Sequence, residues 1–236
     1  MSLRLFRSAP TTAGFLLSAA VAAGQTVSLD EGTYRILIDG TEVGMETFSI
    51  RQNGTGADMV VIARGRVVLD TGTGGQEVQA SIQLAGTSLR PAAYDVEVRG
   101  AQNQRINARI MGSRVSARIT AAAGENMREY LVADGAVLVD EGVAHQYYFL
   151  VRRAGSTGAT IPIVMPRSSR QVSATVTVAD NGSVTIGGQA LAARHYVVEP
   201  AGGATVHVWA DAGGRVLKVE IPSRKYLAIR TAVPAA

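Results

Sequence analysis

Gln104-Arg105-Ile106-Asn107-Ala108-Arg109-Ile110, then Gly112-Ser113, then Arg114-Val115-Ser116-Ala117-Arg118-Ile119-Thr120 is the stretch whose reading decides the fold. Apolar and polar residues alternate along both arms, the period-2 signature of a half-buried strand. A two-residue turn at Gly112-Ser113 sets Ile110 against Val115, Ala108 against Ala117 and Ile106 against Ile119. Every apolar side chain then falls on one face, and Arg105, Asn107, Arg109, Arg114, Ser116 and Arg118 on the other. A slip of one residue would bring the polar set to the core face, so the register is strongly specified.

Working outward, the same period runs from residue 33 to 231. Tyr34, Ile36 and Ile38 alternate with Arg35, Leu37 and Asp39. A type II′ turn at Gly40-Thr41 predicts Ile38 opposite Val43, Ile36 opposite Met45 and Arg35 opposite Glu46. Near the other end, residues 204–210 fold against 215–221 around Asp211-Ala212-Gly213-Gly214. That hairpin is expected to pair Val208 with Leu217 and Val206 with Val219, with His207 opposite Lys218 beside Trp209. Further turns are read at Asn53-Gly54, Thr71 to Gly75, Gly100 to Asn103, Asn181-Gly182 and Gly202-Gly203. The whole is a meander of about 10 to 13 antiparallel strands in one domain, residues 25–236.

One segment breaks the period. Asp140 to Gly155 reads as a single short helix, with Asp140 as N-cap, Arg152 and Arg153 at the negative C-terminal end and Gly155 just beyond it. A strand is the competing reading, because the Tyr147-Tyr148-Phe149-Leu150-Val151 run favours extended structure. So many antiparallel strands must curl or split into two layers. The fold class expected is mainly β, with one large curved antiparallel sheet, a half-barrel, whose concave face is covered by that helix.

Gly32-x-Tyr34 and Gly40-x-x-x-Gly44 open this domain, and Trp209-x-Asp211-x-x-Gly214-Arg215-Val216-Leu217-Lys218-Val219 stands near its end. This layout resembles uncharacterised exported β-rich bacterial proteins of the domain-of-unknown-function type. Its plan is similar to the half-barrels of the LolA/LolB lipoprotein carriers. The resemblance implies a curved sheet with a hydrophobic inner groove and a periplasmic address.

Arg4 and Arg7 precede an apolar run from Gly14 to Ala23 that ends in Ala20-Val21-Ala22. That is the build of a secretory signal peptide over residues 1–24. The run is too short to span a bilayer, and the mature chain is expected to lack any integral membrane segment and to be periplasmic or secreted. The chain has no cysteine, which excludes disulfides and a cysteine-anchored lipid. Its formal charge is only +4, and the leader holds two of the cations. Nucleic acid is therefore not an expected partner.

Candidate chemistry is sparse. Asp70-Thr71-Gly72 has the form of an aspartic-protease loop, the basis of a remote hydrolase reading. That chemistry needs a second carboxylate. The nearest copies, Asp180-Asn181-Gly182 and Asp211-Ala212-Gly213, lack the Thr or Ser. No two of His145, His195 and His207 lie within ten residues, whereas a zinc site wants close pairs at fixed spacing with a carboxylate; His195 with Glu199 and His207 with Asp211 are the pairs that could approach each other, without a strand spacing that fixes a shared site. No metal, cofactor or catalytic residue is expected. Arg105, Arg109, Arg114 and Arg118 share one hairpin face and are candidate anion ligands; the competing reading is a solvated face paired with Asp95 and Glu97. Tyr147, Tyr148, Phe149 and Trp209 are candidates to line an apolar ligand site; the competing reading is plain core packing. The expected function is non-enzymatic binding of a lipid, acyl chain or other hydrophobic ligand. The alternative is a cell-envelope structural or protein-interaction module with a filled core.

Overall fold

The computed structural model describes residues 26–70, 72 and 74–235. The leader assigned to residues 1–24 lies outside them, as does Thr71 of the Asp70-Thr71-Gly72 loop. Among the described residues, fifteen strands form one sheet. They are β1 (Val27–Ile38), β2 (Thr41–Asn53), β3 (Val60–Asp70), β4 (Gly75–Ala85), β5 (Arg90–Arg99), β6 (Gln104–Met111), β7 (Arg114–Ala121) and β8 (Gly124–Leu131). After the one α-helix among the described residues come β10 (Ala159–Met165), β11 (Arg170–Ile186), β12 (Gln189–Pro200), β13 (Val206–Ala210), β14 (Val216–Ile221) and β15 (Tyr226–Arg230), while the short β9 (Val137–Leu138) precedes it. The helix, α1, spans Tyr147–Ala154 behind a 3-10 turn at Ala144–Gln146.

The order across the sheet is β8-β7-β6-β5-β4-β3-β2-β1-β15-β14-β13-β12-β11-β10-β9. From β1 in the middle, the strands meander out to β8, the chain crosses the inner face through β9 and α1, and it meanders back from the far edge to close β15 against β1. All pairings are antiparallel except β9 with β10. The sheet curves without closing, since β8 and β9 end the order at opposite edges. The mainly β, curved-sheet class with one short helix is therefore as expected, with two more strands than the upper count.

The 104–120 hairpin has the predicted register, with Ile110 opposite Val115, Ala108 opposite Ala117 and Ile106 opposite Ile119. The first hairpin differs. Its turn is Asp39-Gly40, both at positive φ (52° and 77°), which is type I′ rather than II′. A bulge between Ile36 and Leu37 then brings Tyr34 opposite Glu46, so Glu46 faces inward instead of pairing with Arg35. The 206–221 hairpin also shifts. Val208 meets Val219, His207 meets Glu220 and Trp209 meets Lys218, because a bulge falls between Trp209 and Ala210. Asn181-Gly182 is no turn. It lies within β11 beside a bulge, and the reversal falls at Gly187-Gly188, where both φ angles are positive.

The inner face carries the core. Ile36, Ile50, Val61, Ala63, Ile82, Tyr94 and Ile106 from the sheet meet Leu150, Phe149 and Val151 from α1, all buried. A second, smaller cluster of Val184, Ile186, Ala193 and Leu217 packs against Trp209 and Ile229 on the outer face. The bulge in β11 lets the tip of the β11–β12 hairpin serve that cluster while its base serves the core.

Candidate functional site

The helix covers the inner face through a buried polar joint. The N-terminus of its leading 3-10 turn is capped not by Asp140 but by a carboxylate from a distant strand. Glu46 of β2 accepts the backbone N–H of Ala144 at 2.7 Å and of His145 at 3.0 Å. Its Oε1 also lies 2.6 Å from His145 Nδ1, and both side chains are fully buried. Helix N-termini attract negative charge, and here the anion comes from the sheet. Gly65 of β3 makes the room: a Cβ there would lie 2.4 Å from His145 Cε1. The imidazole stacks on Phe48, which stacks on Tyr34.

Asp140, expected as the cap, is buried instead. It accepts the Tyr94 hydroxyl and the Arg167 backbone N–H, and its own N–H donates to Gln146 Oε1 at 2.5 Å. Burial pushes its pKa up, against the opposing effect of the Tyr94 and Arg167 hydrogen bonds. At the β1–β15 seam, Arg230 holds Asp30 and donates to the Val216 carbonyl at 2.6 Å, which also accepts the Tyr34 hydroxyl. Burial raises the Asp30 pKa while Arg230 opposes it.

A cavity of about 830 Å³ opens at one end of the inner face, beneath the 140–142 loop. Its floor is apolar, from Val67, Leu69, Val78, Val98 and Ile221, and Arg167 and Arg224 stand at its rim. Tyr226 lines it as well, with a buried hydroxyl that has no hydrogen-bond partner. Ligand pockets run to roughly 300–1,000 Å³, so the volume suits a small molecule.

The four aromatic candidates do not meet. Tyr147, Tyr148 and Phe149 are buried in the main core. Tyr147 borders a pocket of about 60 Å³ and Phe149 one of about 260 Å³, both below the usual ligand range. Trp209 sits on the opposite face, stacked on His195 at 4.4 Å with Lys218 Nζ 4.0 Å from its ring.

The four arginines do share one face, and each has an acid. Arg105 pairs with Glu97, Arg109 with Asp95, Arg114 with Glu129 and Arg118 with Glu125, at 2.9 to 3.5 Å. Arg105 also borders an open outer groove of about 640 Å³ with Arg64, Arg66 and Gln79. Asp70 ends β3, and its Oδ1 accepts the Gly72 N–H at 3.0 Å, an Asx turn.

Sequence reasoning missed the Glu46–His145 pair, because the wrong register put Glu46 outside. It also treated His195 and His207 as distant, whereas their strands are neighbours and His195 Nε2 lies 2.9 Å from His207 Nδ1. Burial, then His207 and Lys218, depress the His195 pKa. Among the described residues, no group of three or more His, Asp and Glu is arranged to hold a metal ion, and no helix is long and apolar enough to cross a membrane.

No protein-family model matches the chain, and no curated protein does. Among solved structures, the fold is similar to that of a β-barrel-like protein of domain of unknown function DUF1849 from Brucella abortus. The two align with a TM-score of 0.53 at 11% identity, over 88% of this chain and 97% of the other. At that identity the likeness is one of fold.

Proposed function

We propose that this protein is a non-enzymatic binding module, exported to the periplasm, that holds a lipid or acyl chain with an anionic head. The space beneath α1 is filled, so the binding place is the cavity beside it. One observation carries the reading: an 830 Å³ cavity with an apolar floor and two arginines at its rim. An acyl body would cover the half-buried Ile38 and Leu69 beside a floor of already buried valines, at about 25 cal/mol per Å² removed from water. A carboxylate or phosphate head would meet Arg167 and Arg224. Glu141 pairs with Arg224, and Arg167 donates to the Glu141 carbonyl at 3.1 Å, so both guanidinium groups are held at the rim.

The test is native mass spectrometry of protein purified without detergent, followed by uptake of a fluorescent fatty acid. Bound lipid and saturable uptake are expected. Leu69→Trp, which places an indole in a half-buried wall position, should reduce uptake at least tenfold with the fold intact. Protein recovered empty that takes up nothing overturns the reading.

A second reading has its own observation. β8 ends the sheet, so its outer edge is unpaired, and Met111, Met127 and Leu131 are exposed on and beside it. Such an edge accepts an added strand from another envelope protein. Crosslinking from position 127 in cells would trap a defined partner under this reading and none under the first.

A further inference from the structure

Away from the cavity, on the outer face, His195 of β12 and His207 of β13 stand diagonally across adjacent strands. Their facing nitrogens, His195 Nε2 and His207 Nδ1, are 2.9 Å apart, with the rings 25° from parallel. Two metal–nitrogen bonds of about 2.0 Å meeting at a right angle put their nitrogens about 2.8 Å apart, whereas a tetrahedral angle needs about 3.3 Å. The two rings share a hydrogen bond at this spacing, and a tautomer shift that frees both lone pairs leaves the nitrogens close enough to take cis positions on one square-planar ion. We propose that His195 and His207 are the two protein ligands of an outer-face site for a copper(II)-type divalent ion, with water or a small ligand completing the plane.

The surroundings support a built site. Trp209 stacks flat on His195, 3° from parallel, and holds that ring in place. Lys218, the nearest cation on the opposing strand, is tied to Glu220 at 2.7 Å, and Glu220 stands opposite His207. Glu220 thus offsets the Lys218 charge beside the pair. Both strands are fixed at this point by the small outer core of Val184, Ile186 and Leu217, so the histidine spacing is set by the sheet and not by a loop. Imidazole favours copper over nickel and zinc in the usual affinity order.

The chain has one tryptophan, and it touches the site. Titration of the protein with copper(II) chloride should therefore quench Trp209 emission, saturating at one equivalent and reversing with EDTA. Zinc(II) chloride should compete weakly. His195→Gln and His207→Gln should each weaken copper binding at least tenfold. Electron paramagnetic resonance of the wild-type protein with one equivalent of copper should show two imidazole nitrogens, and this reading stands even if a variant fails to fold. Quenching that never saturates, equal quenching in both folded variants (as copper on the amino terminus would give), or fewer than two imidazole nitrogens overturns the proposal.

Discussion

Glu46 has no contact with solvent and accepts three donors from one turn of the chain: the N–H groups of Ala144 and His145 and the His145 ring. Removing one partner of a buried pair leaves the others unsatisfied and costs about 3–5 kcal/mol. Glu46→Ala should lower stability by about that much, read as a shift of the urea midpoint with the m-value unchanged. Glu77 makes the contrast at the surface. Arg66 grips both of its oxygens, at 2.8 and 2.9 Å, and Gln79 donates a third hydrogen bond. Those bonds lower the Glu77 pKa to about 2. The ionised form is thus favoured in the fold. Its contribution is complete above the ordinary carboxylate range and fades as pH falls toward that value. An NMR titration of the Glu77 carboxyl should give a midpoint near this value, and Arg66→Ala should raise it. A wild-type midpoint in the ordinary range would mean that the fork is not formed in solution.

Individual elements were legible to different degrees, for physical reasons. The β6–β7 hairpin was read correctly because alternation is unbroken from Gln104 to Thr120 and Gly112, at φ 60°, suits the turn. The β1–β2 hairpin was misread because Asp39 looks like one more polar strand residue, yet it adopts φ 52° and moves the turn by one position. The bulge after Ile36 then reverses which face Glu46 occupies. That single parity error hid the buried pair at the centre of the molecule. The helix showed itself by the broken period, but its cap did not, since Glu46 is 98 residues from Ala144. His195 and His207 escaped for a related reason: a separation of 12 residues is meaningless as spacing until two strands are known to be neighbours. The cavity was illegible altogether, because Val67, Val98 and Ile221 come from three separate strands.

At the scale of the whole molecule, the seam between β1 and β15 joins the two meanders. Tyr34 pairs with Arg230 and Ile38 with Tyr226, and Arg230 binds Asp30 with both side chains buried. Such long-range pairing carries a large loop-closure cost before it yields contacts. A chain ending at Arg224 lacks β15 and bares the inner edges of β1 and β14 together. It should lose its cooperative thermal transition, followed by near-ultraviolet circular dichroism, while a chain lacking only residues 231–236 should keep it. A sharp transition in the shorter chain would show that the halves stand without the seam. The same placement has a consequence for biosynthesis. The rung at Ile38 leaves the ribosome well before its partner at Tyr226 is made. A nascent chain therefore carries a sticky, half-satisfied strand until β15 emerges, an interval in which a holdase chaperone has something to grasp.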